Sequence, residues 1–319
     1  MYQNPNRSPR KYQTDYMIKR TLCIQSPCHL KCSNEQLVVS YSHVKGLEDR
    51  ADKTVPIEDI GMLVLEHQQI TITHIVLDKL TANNVAVITC NETHHPSGLL
   101  MPLESNTLQS ERFRAQINAT EPLKKQLWQQ TVKAKITNQA SVLKRWNINH
   151  KLLINLADDV KSGDTGNSEA VAAAYYWQNI MPIAWQFFRK REGPPPNNLL
   201  NYGYAIVRAT MARAIVGAGL LPTLGIFHRN RYNAYCLADD IMEPYRPFVD
   251  IIVRGIIDET SHVENLTAEL KNKLLQIPTL DVLMNDEKSP LMVAMQRTAA
   301  SLAKCYAGEQ RKILYPTIP

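Results

Sequence analysis

The stretch NNLLNYGYAIVRATMARAIVGAGLLP, residues 197–222, is a long apolar segment rich in residues that favour helices. Gly217, Gly219 and Pro222 follow its last periodic positions, and these residue types commonly end helices. The stretch therefore predicts one long apolar helix with a well-defined end.

Segments on both sides of this helix show helical spacing as well. Residues 111–119, 122–146 and 149–160 carry apolar positions three to four apart, with few clusters of β-branched residues. The tail from residue 258 to residue 302 has the same character. We therefore expect a larger, all-α C-terminal domain over residues 103–319.

The N-terminal part has a different pattern. Between residues 17 and 102 it contains short runs rich in Val, Ile, Leu and Thr, namely KRTLCIQ, EQLVVSY, GMLVLEH, QITITHIVL and NVAVITC. THIVLDKLTANN, residues 73–84, predicts a short helix among these strands. Residues 1–16 are polar without apolar periodicity, which predicts a disordered extension. The fold class is α+β, with a small β-rich N-terminal domain over residues 17–102 followed by the all-α domain.

The composition limits the class of protein. No apolar run reaches the roughly 18 to 20 residues that span a bilayer, and the start lacks the apolar core of a secretory signal. The 6 cysteines are thinly spread over 319 residues, which is typical of a reducing cytoplasm and not of a disulfide framework. We expect a cytoplasmic protein in which Cys23, Cys28 and Cys32 are free thiols.

The net charge of +6 is concentrated in the middle third of the chain. Residues 101–200 hold more Lys and Arg than Asp and Glu, and such a local excess is typical of polyanion binding or of solvated helix faces. Basic residues also accompany Trp128 in KKQLWQQTVKAK and occur in the segment FFRKREGPPPNN. The candidates for DNA contact are Arg112, Arg114, Lys133, Lys135, Arg229 and Arg231, with Arg189, Lys190 and Arg191 as a further basic group.

One candidate site residue lies at the start of a predicted helix. In GNSEAVAAAYYW, Asn167 or Ser168 can cap the helix and Glu169 falls in its first turn. A carboxylate there also complements the helix macrodipole, so alone it does not require a functional role. The small residues that follow allow a ligand or another segment of backbone to approach this turn closely.

A second group of candidates lies in HRNRYNAYCLADDIMEPYRP. His228 follows the long helix in a loop, whereas Asp239 or Asp240 and Glu243 share one face of a short helix. Two carboxylates and an imidazole suit Mg²⁺ or Mn²⁺, which activates phosphodiesters. The alternative is a structural histidine beside an acidic helix edge paired with Arg246. The sequence has none of the motifs GxxxxGK[ST], GxGxxG, GxSxG or HExxH.

Three motifs together carry a resemblance to a known family. SEAVAAAYYW, LWQQTVKAKITNQA and the continuous stretch from LLNYGYAIVRAT to EPYRPFVD resemble the CRISPR adaptation integrases, the metal-dependent endonucleases that insert new spacers. The similarity is greatest to their type II branch and extends over residues 17–283. The family has a small β-domain followed by a larger helical domain, in agreement with the pattern above.

The resemblance implies a site and an activity. The family's catalytic metal ligands fall on Glu169, His228 and Glu243, and the ion is Mg²⁺ or Mn²⁺. Asp240 would support these ligands, and Asp239 would be a surface charge. The implied reaction is transesterification, in which the 3′-hydroxyl of a DNA fragment attacks a phosphodiester at the repeat border of a CRISPR array. Water in place of that hydroxyl gives nuclease activity. This places the chain in the antiviral defence of a prokaryotic cytoplasm.

The resemblance also implies partners. The family forms a homodimer through its β-domain, and two dimers flank a dimer of a small ferredoxin-like protein, giving a 4:2 complex on double-stranded DNA. Type II systems add the effector nuclease. No membrane is involved.

Two other functions are compatible with the residues. One is a stand-alone nuclease for branched DNA that uses the same metal ligands without a partner. The other is a non-catalytic DNA-binding scaffold subunit that uses only the basic helices, although the presence of all three ligands disfavours it.

Overall fold

A computed structural model describes residues 19–42 and 44–319 of the chain. The prediction of a disordered extension over residues 1–16 lies outside the described residues. The α+β fold class is confirmed, because a β-rich N-terminal region precedes a largely helical C-terminal part. The division at residue 102 into two domains stays a prediction.

Two four-stranded sheets form the N-terminal region. One has the order β1-β5-β7-β8 and the other β4-β3-β2-β6. The neighbours in the first sheet are parallel except for the β7–β8 pair, whereas in the second only β2 and β6 are parallel. The strands are β1 Arg20–Ile24, β2 Cys28–Ser33, β3 Gln36–Ser40, β4 Lys53–Pro56, β5 Ile60–Leu65, β6 Ile70–Ile72, β7 Ala86–Cys90 and β8 Pro96–Leu100.

The first sheet is buried on both faces. Leu63 of β5 belongs to a core that it shares with the second sheet and with helix α1, His74–Ala82. Its neighbours Met62 and Val64 point to the opposite face and join the core of the helical part. Alternation along a strand places successive side chains on opposite faces, and two buried faces produce the nearly continuous apolar run GMLVLEH.

The C-terminal part packs around two long helices, α3 and α6. Thr120 caps α3 by accepting a hydrogen bond from the Leu123 amide, and Pro122 occupies its first turn, as expected for a helix start. The helices are α2 Gln109–Ile117, α3 Glu121–Arg145, α4 Lys151–Asp159, α5 Ser168–Ile180, α6 Asn197–Gly217, α7 Cys236–Ile241, α8 Arg246–Glu259, α9 Ala268–Leu275 and α10 Leu291–Tyr306. The predicted apolar helix over residues 197–222 is α6.

The C-terminal part also contains a β-hairpin, which corrects the expectation of helices throughout residues 258–302. Strands β9 Asp281–Met284 and β10 Glu287–Pro290 pair antiparallel. Asn285 and Asp286 join them with positive φ angles of 52° and 64°, a conformation that Asn and Asp tolerate in two-residue hairpin turns. This local turn chemistry outweighs the apolar spacing.

Two further expectations concern membranes and cysteines. In the described part of the chain, no helix combines the length and apolar character needed to cross a membrane. All six cysteines are free, with Cys28 buried and Cys23 and Cys32 half-buried, as predicted.

Candidate functional site

Glu169 lies in the first turn of α5, and the loop before it fixes the start of that helix. The Asp164 carboxylate accepts hydrogen bonds from the backbone amides of Ser168 and Glu169, at 2.8 and 3.0 Å. Asn167 has a positive φ of 54° and makes no side-chain cap. The expected cap from Asn167 or Ser168 is therefore wrong. Asp164, four residues before Ser168, satisfies the amides instead.

Glu243 opens the single 3₁₀ turn that connects α7 to α8. Glu243 is buried, and Nε of Arg246 donates a hydrogen bond to its Oε1 at 2.7 Å. Burying a carboxylate is unfavourable unless it is paired. Arg246, three residues on, supplies one such partner from the first turn of α8.

Lys135 of α3 connects the two glutamates. Its ammonium lies 2.6 Å from Oε1 of Glu169 and 2.6 Å from Oε2 of Glu243. We call Glu169 and Glu243 the carboxylate pair. The sequence predicts Lys135 as a DNA contact, whereas the structure leaves its side chain only 12% exposed and buries the ammonium between these carboxylates.

The charges of this group stabilise one another. Burial alone would raise the pKa of Glu243, but Arg246 and Lys135 outweigh it and hold the pKa at about 2. Burial alone would lower the pKa of Lys135, but the carboxylates of Glu243 and Glu169 outweigh it and raise the pKa. Glu243 is therefore ionised at neutral pH, beside the positive charge of Lys135.

His228 lies in the predicted loop after α6, and Asp240 of α7 holds it there. The Asp240 carboxylate is fully buried and contacts Nδ1 of His228 at 2.5 Å. It also accepts from the Phe227 amide at 2.9 Å. Among the described residues, Nε2 of His228 has no hydrogen-bond partner. A carboxylate on Nδ1 orients an imidazole so that Nε2 can bind a ligand or metal.

The carboxylate pair influences His228 as well. The hydrogen bond with Asp240 raises the pKa of His228, burial opposes it, and the charges of Glu243 and Glu169 raise it further. The side chain is 51% exposed, so solvent and ligands can reach the ring. His228 therefore lies within the electrostatic field of the carboxylate pair without contacting Lys135.

Asp239 is more than the surface charge that we expected. The Arg208 guanidinium binds its two carboxylate oxygens at 2.6 and 2.8 Å, and Asn233 donates to it at 2.7 Å. Such a fork fixes both partners in one geometry. Asp239 therefore fastens α7 to α6 and to the loop after His228.

The donor atoms of Glu169, Glu243 and His228 are of the kinds that bind a divalent metal ion. Carboxylate oxygens and one imidazole nitrogen suit Mg²⁺ or Mn²⁺, and the carboxylate pair already surrounds one cationic group. In the arrangement described, within residues 19–42 and 44–319, no three His, Cys, Asp or Glu side chains are packed closely enough to hold one ion together. The donors fit the ion, but Lys135 takes the space between them and must move for the ion to enter.

The other basic candidates lie in several environments. Arg112 donates to the Ala218 carbonyl just after α6, and this contact makes part of its role structural. Lys133 pairs with Asp158 at 3.0 Å on the surface. Arg114 is exposed on α2.

Arg229 and Arg231 are exposed in the loop that follows His228. Arg229 pairs with Glu121 at 2.6 Å, and the Arg231 guanidinium stacks over the ring of Tyr232. The structure thus places both beside the candidate site, and their contact with DNA stays a prediction.

A buried carboxyl next to the carboxylate pair was not predicted. Asp250 of α8 accepts hydrogen bonds from the Tyr204 and Tyr176 hydroxyls at 2.5 and 2.9 Å. Burial raises its pKa to about 6, against the hydrogen bonds from the tyrosines. Its position in RPFVD follows ordinary helical spacing, so no local signal in the sequence marks it.

Comparisons with known proteins show which family the chain resembles. The family described as CRISPR associated protein Cas1 matches residues 22–275 of the chain. A CRISPR-associated endonuclease Cas1 from Neisseria meningitidis is 34% identical over 287 residues, which cover 89% of this chain and 91% of that protein.

Two solved structures share the fold. A casposase bound to integration product superposes with a TM-score of 0.73 at 19% identity, over 92% of this chain and 91% of that one. A chain of a Cas6-RT-Cas1–Cas2 complex superposes with a TM-score of 0.69 at 20% identity, over 93% of this chain and 36% of that one. By the extent of the family match and the identity to its relative, the chain belongs to the CRISPR associated protein Cas1 family.

Proposed function

We propose that this chain is a metal-dependent DNA endonuclease and integrase that inserts DNA fragments into a CRISPR array. The observation that carries the proposal is the convergence of Glu169 and Glu243, from separate helical elements, on one cationic group beside an oriented histidine. The Neisseria relative is named an endonuclease, and a structural neighbour is a casposase with its integration product. Both names support phosphodiester chemistry on DNA.

The residues of the chain have distinct tasks in this proposal. Glu169, Glu243 and His228 would hold Mg²⁺ or Mn²⁺, and the bound ion would supply positive charge that stabilises a phosphate under attack. Arg246 keeps Glu243 ionised, so it can bind a cation at any pH near neutrality. Asp240 keeps Nδ1 of His228 occupied and thereby leaves Nε2 as the ligand atom.

The reaction proposed is a direct transesterification. The 3′-hydroxyl of the incoming fragment attacks a phosphate at the repeat border, a new phosphodiester forms, and the 3′-oxygen of the repeat strand leaves with a proton. Water as the nucleophile gives cleavage without joining. One positioned phosphate suffices for both outcomes, because only the attacking oxygen differs.

The proposed assembly follows the relatives as well. We infer a homodimer through the β-rich region and a 4:2 complex with a small ferredoxin-like partner on double-stranded DNA. The type II effector nuclease is a further partner in choosing fragments. A neighbour named as a Cas1–Cas2 complex supports the small partner.

An integration assay tests the proposal. The protein, its small partner and a DNA fragment with a 3′-hydroxyl are incubated with supercoiled plasmid that carries the repeat, with Mn²⁺, Mg²⁺ or EDTA. We expect joined products only with a divalent ion, and their loss in Glu169→Gln, Glu243→Gln and His228→Ala. The exposed His262 provides the matched control, and His262→Ala should retain joining.

The same assay separates the alternatives. Cleavage of branched DNA without joining, with the partner present, would favour a stand-alone nuclease. DNA binding without cleavage or joining would favour a scaffold subunit and would contradict the catalytic proposal.

A further inference from the structure

A cavity of about 520 Å³ lies beside the carboxylate pair and is lined by four arginines. It is open to solvent and is lined by residues of the β7–β8 connection, the segment before α6, α6 itself and the start of α8. We call it the arginine cavity, after Arg189, Arg191, Arg208 and Arg246. None of the proposed metal ligands lines the arginine cavity, and the proposed reaction assigns no role to it.

Arg189 is hydrogen-bonded in this cavity to neutral partners. Its two Nη atoms donate to the side-chain oxygens of Asn197 and Asn201, at 2.8 and 2.9 Å, and Nη1 also reaches the Lys190 carbonyl. Asn197 is fully buried and also donates to the carbonyls of Phe188 and Pro194. A guanidinium carries five N–H groups, so Nε–H and one Nη2–H of Arg189 remain for a ligand.

The charges of the cavity are only partly balanced. Arg246 pairs with Glu243 and Arg208 with Asp239. In the described part of the chain, neither Arg189 nor Arg191 forms an ion pair. Glu192 is the acidic side chain that lines the cavity.

One further negative charge, the buried carboxylate of Asp250, partly offsets the charge of Arg189. Asp250 acts on Arg189 only through space, because both of its oxygens accept from tyrosines. Preorganised arginines with spare donors are typical of phosphate recognition.

The arginine cavity continues towards the candidate metal site. Arg189, Tyr204 and Arg246 also line a smaller cavity of about 180 Å³. Lys135 and Glu243 form the other side of that smaller cavity. A strand whose phosphate lies at the carboxylate pair can therefore place its neighbouring phosphates in the arginine cavity.

We propose that the arginine cavity binds the phosphodiester backbone of the DNA strand that carries the reacting phosphate. Arg189 and Arg191 contact the phosphates next to it and set the register of the strand. This inference rests on the proposed function for the position of the reacting phosphate. It adds a binding site and names the part of DNA that occupies it.

The first test measures DNA affinity as a function of salt. Fluorescence anisotropy with a fluorescein-labelled branched DNA compares the wild type, Arg191→Gln and the double variant Arg189→Gln/Arg191→Gln. Each lost phosphate contact lowers the slope of log K against log salt by about 1. We expect a decrease of about 2 for the double variant, with affinity lower by at least about tenfold.

A matched control removes two charges outside the cavity. Lys144 and Lys161 are exposed and do not line it, so Lys144→Gln/Lys161→Gln should keep the wild-type slope. The Arg191→Gln variant alters an exposed side chain, so it remains informative if Arg189→Gln perturbs folding. Equal slopes for Arg191→Gln, the double variant and the control would overturn the proposal.

The second test neutralises the ligand instead of the protein. A methylphosphonate replaces single phosphates adjacent to the joining position, and binding is measured with each protein. The wild type should bind DNA with a methylphosphonate at one or two of these positions more weakly than unmodified DNA. The double variant should bind both DNAs with equal affinity at those positions. Equal losses in both proteins would contradict a contact with the arginines.

The two proposals can fail separately. If wild-type protein neither cleaves nor joins DNA with Mn²⁺, the proposed function fails, whatever the salt slopes are. In the other case, joining proceeds while the double variant has the same DNA affinity and the same response to methylphosphonate as the wild type. That result would exclude the arginine cavity as the binding site of the DNA strand and would leave the proposed function intact.

Discussion

The carboxylate side and the histidine side of the candidate site are built differently. Glu169 and Glu243 are held by Lys135 and Arg246 from helical elements, and the group is largely buried. His228 lies in a loop, half-exposed, and its ring is oriented by Asp240. The carboxylate side therefore depends on balanced internal charge, whereas the histidine side depends on one buried aspartate.

The largest effect should come from breaking the carboxylate side. Lys135→Met leaves Glu169 without its Lys135 partner and Glu243 with Arg246 alone, and breaking a buried ion pair costs about 3–5 kcal/mol. The free energy of unfolding without metal should fall by that order. Mn²⁺ should restore more stability in this variant than in the wild type, because the ion no longer displaces an ammonium.

The measurement is urea unfolding with and without Mn²⁺. Lys133→Met on the same helix is the matched control, since its surface pair with Asp158 contributes about 0–1 kcal/mol. Equal losses in the two variants would show that Lys135 does not stabilise the carboxylate pair.

The pH dependence of the free energy of unfolding also tests the carboxylate side, through Glu243. The pKa of Glu243 is about 2 in the folded protein and has a reference value of 4.5, so its ionised form stabilises the fold above pH 4.5. That contribution, on the order of 3 kcal/mol, is lost as the pH falls from 4.5 towards 2.

The variant Glu243→Gln should therefore show a flatter decline in stability over this pH range than the wild type. Glu259→Gln, on an exposed carboxylate, serves as the control and should keep the wild-type slope. A slope unchanged by Glu243→Gln would contradict the pairing with Arg246 and Lys135.

A glycine substitution in the loop before His228 tests the histidine side without changing the carboxylate pair. A Cβ atom at Gly225 would meet the His228 carbonyl oxygen closely and the Asp240 carboxylate at 2.8 Å. Gly225→Ala should therefore shift the loop, cost about 1–3 kcal/mol and abolish joining.

Gly255→Ala in α8 is the contrasting variant, because among the described residues no atom beyond the neighbouring helix backbone lies within 4 Å of its Cβ position. It should stabilise the protein by about 0.5–1 kcal/mol, since alanine favours helices over glycine. Retained joining in Gly225→Ala would show that the loop geometry does not matter for the site.

The smallest expected effect is a shift in the pH at which activity is lost on the acid side. The pKa of His228 is raised above 6.5, and a protonated imidazole cannot bind metal, so Mn²⁺-dependent activity should fall as the pH drops through this raised pKa. Asp240→Asn removes the main cause, and its acid limb should lie at lower pH, with lower activity at the plateau.

Histidine titration by NMR and the pH–rate profile both measure this shift. Asp239→Asn, which leaves the Asp240 contact in place, should keep the wild-type midpoint. Identical midpoints in all three proteins would remove Asp240 as the residue that sets the pKa of His228.

Much of the fold could be predicted from local patterns. The strands β1, β3, β5 and β7 and the helices α1, α3 and α6 coincide with runs of the expected spacing. Strand β2, with the sequence CHLKCS, was missed because it lacks β-branched residues. The β9–β10 hairpin does not follow from the sequence pattern, because the apolar spacing around it resembles that of a helix.

The candidate site could be predicted only in part. The start of α5 at Glu169 and the loop around His228 follow from helix-ending and helix-starting signals in the sequence. The importance of Lys135, Asp164 and Asp250 could not be predicted, because each also fits an ordinary helix surface, loop or helix interior.

The sequence by itself determined the α+β order, the long helix α6 and the membership of a family, because these depend on local spacing and on long matching motifs. Only the tertiary structure decided which cation lies between Glu169 and Glu243 and which groups surround it. Lys135 and Glu243 are 108 residues apart in sequence, and no periodicity extends over that distance. Their contact arises because the core packs α3 against the 3₁₀ turn before α8, and burial there requires each charge to find a partner.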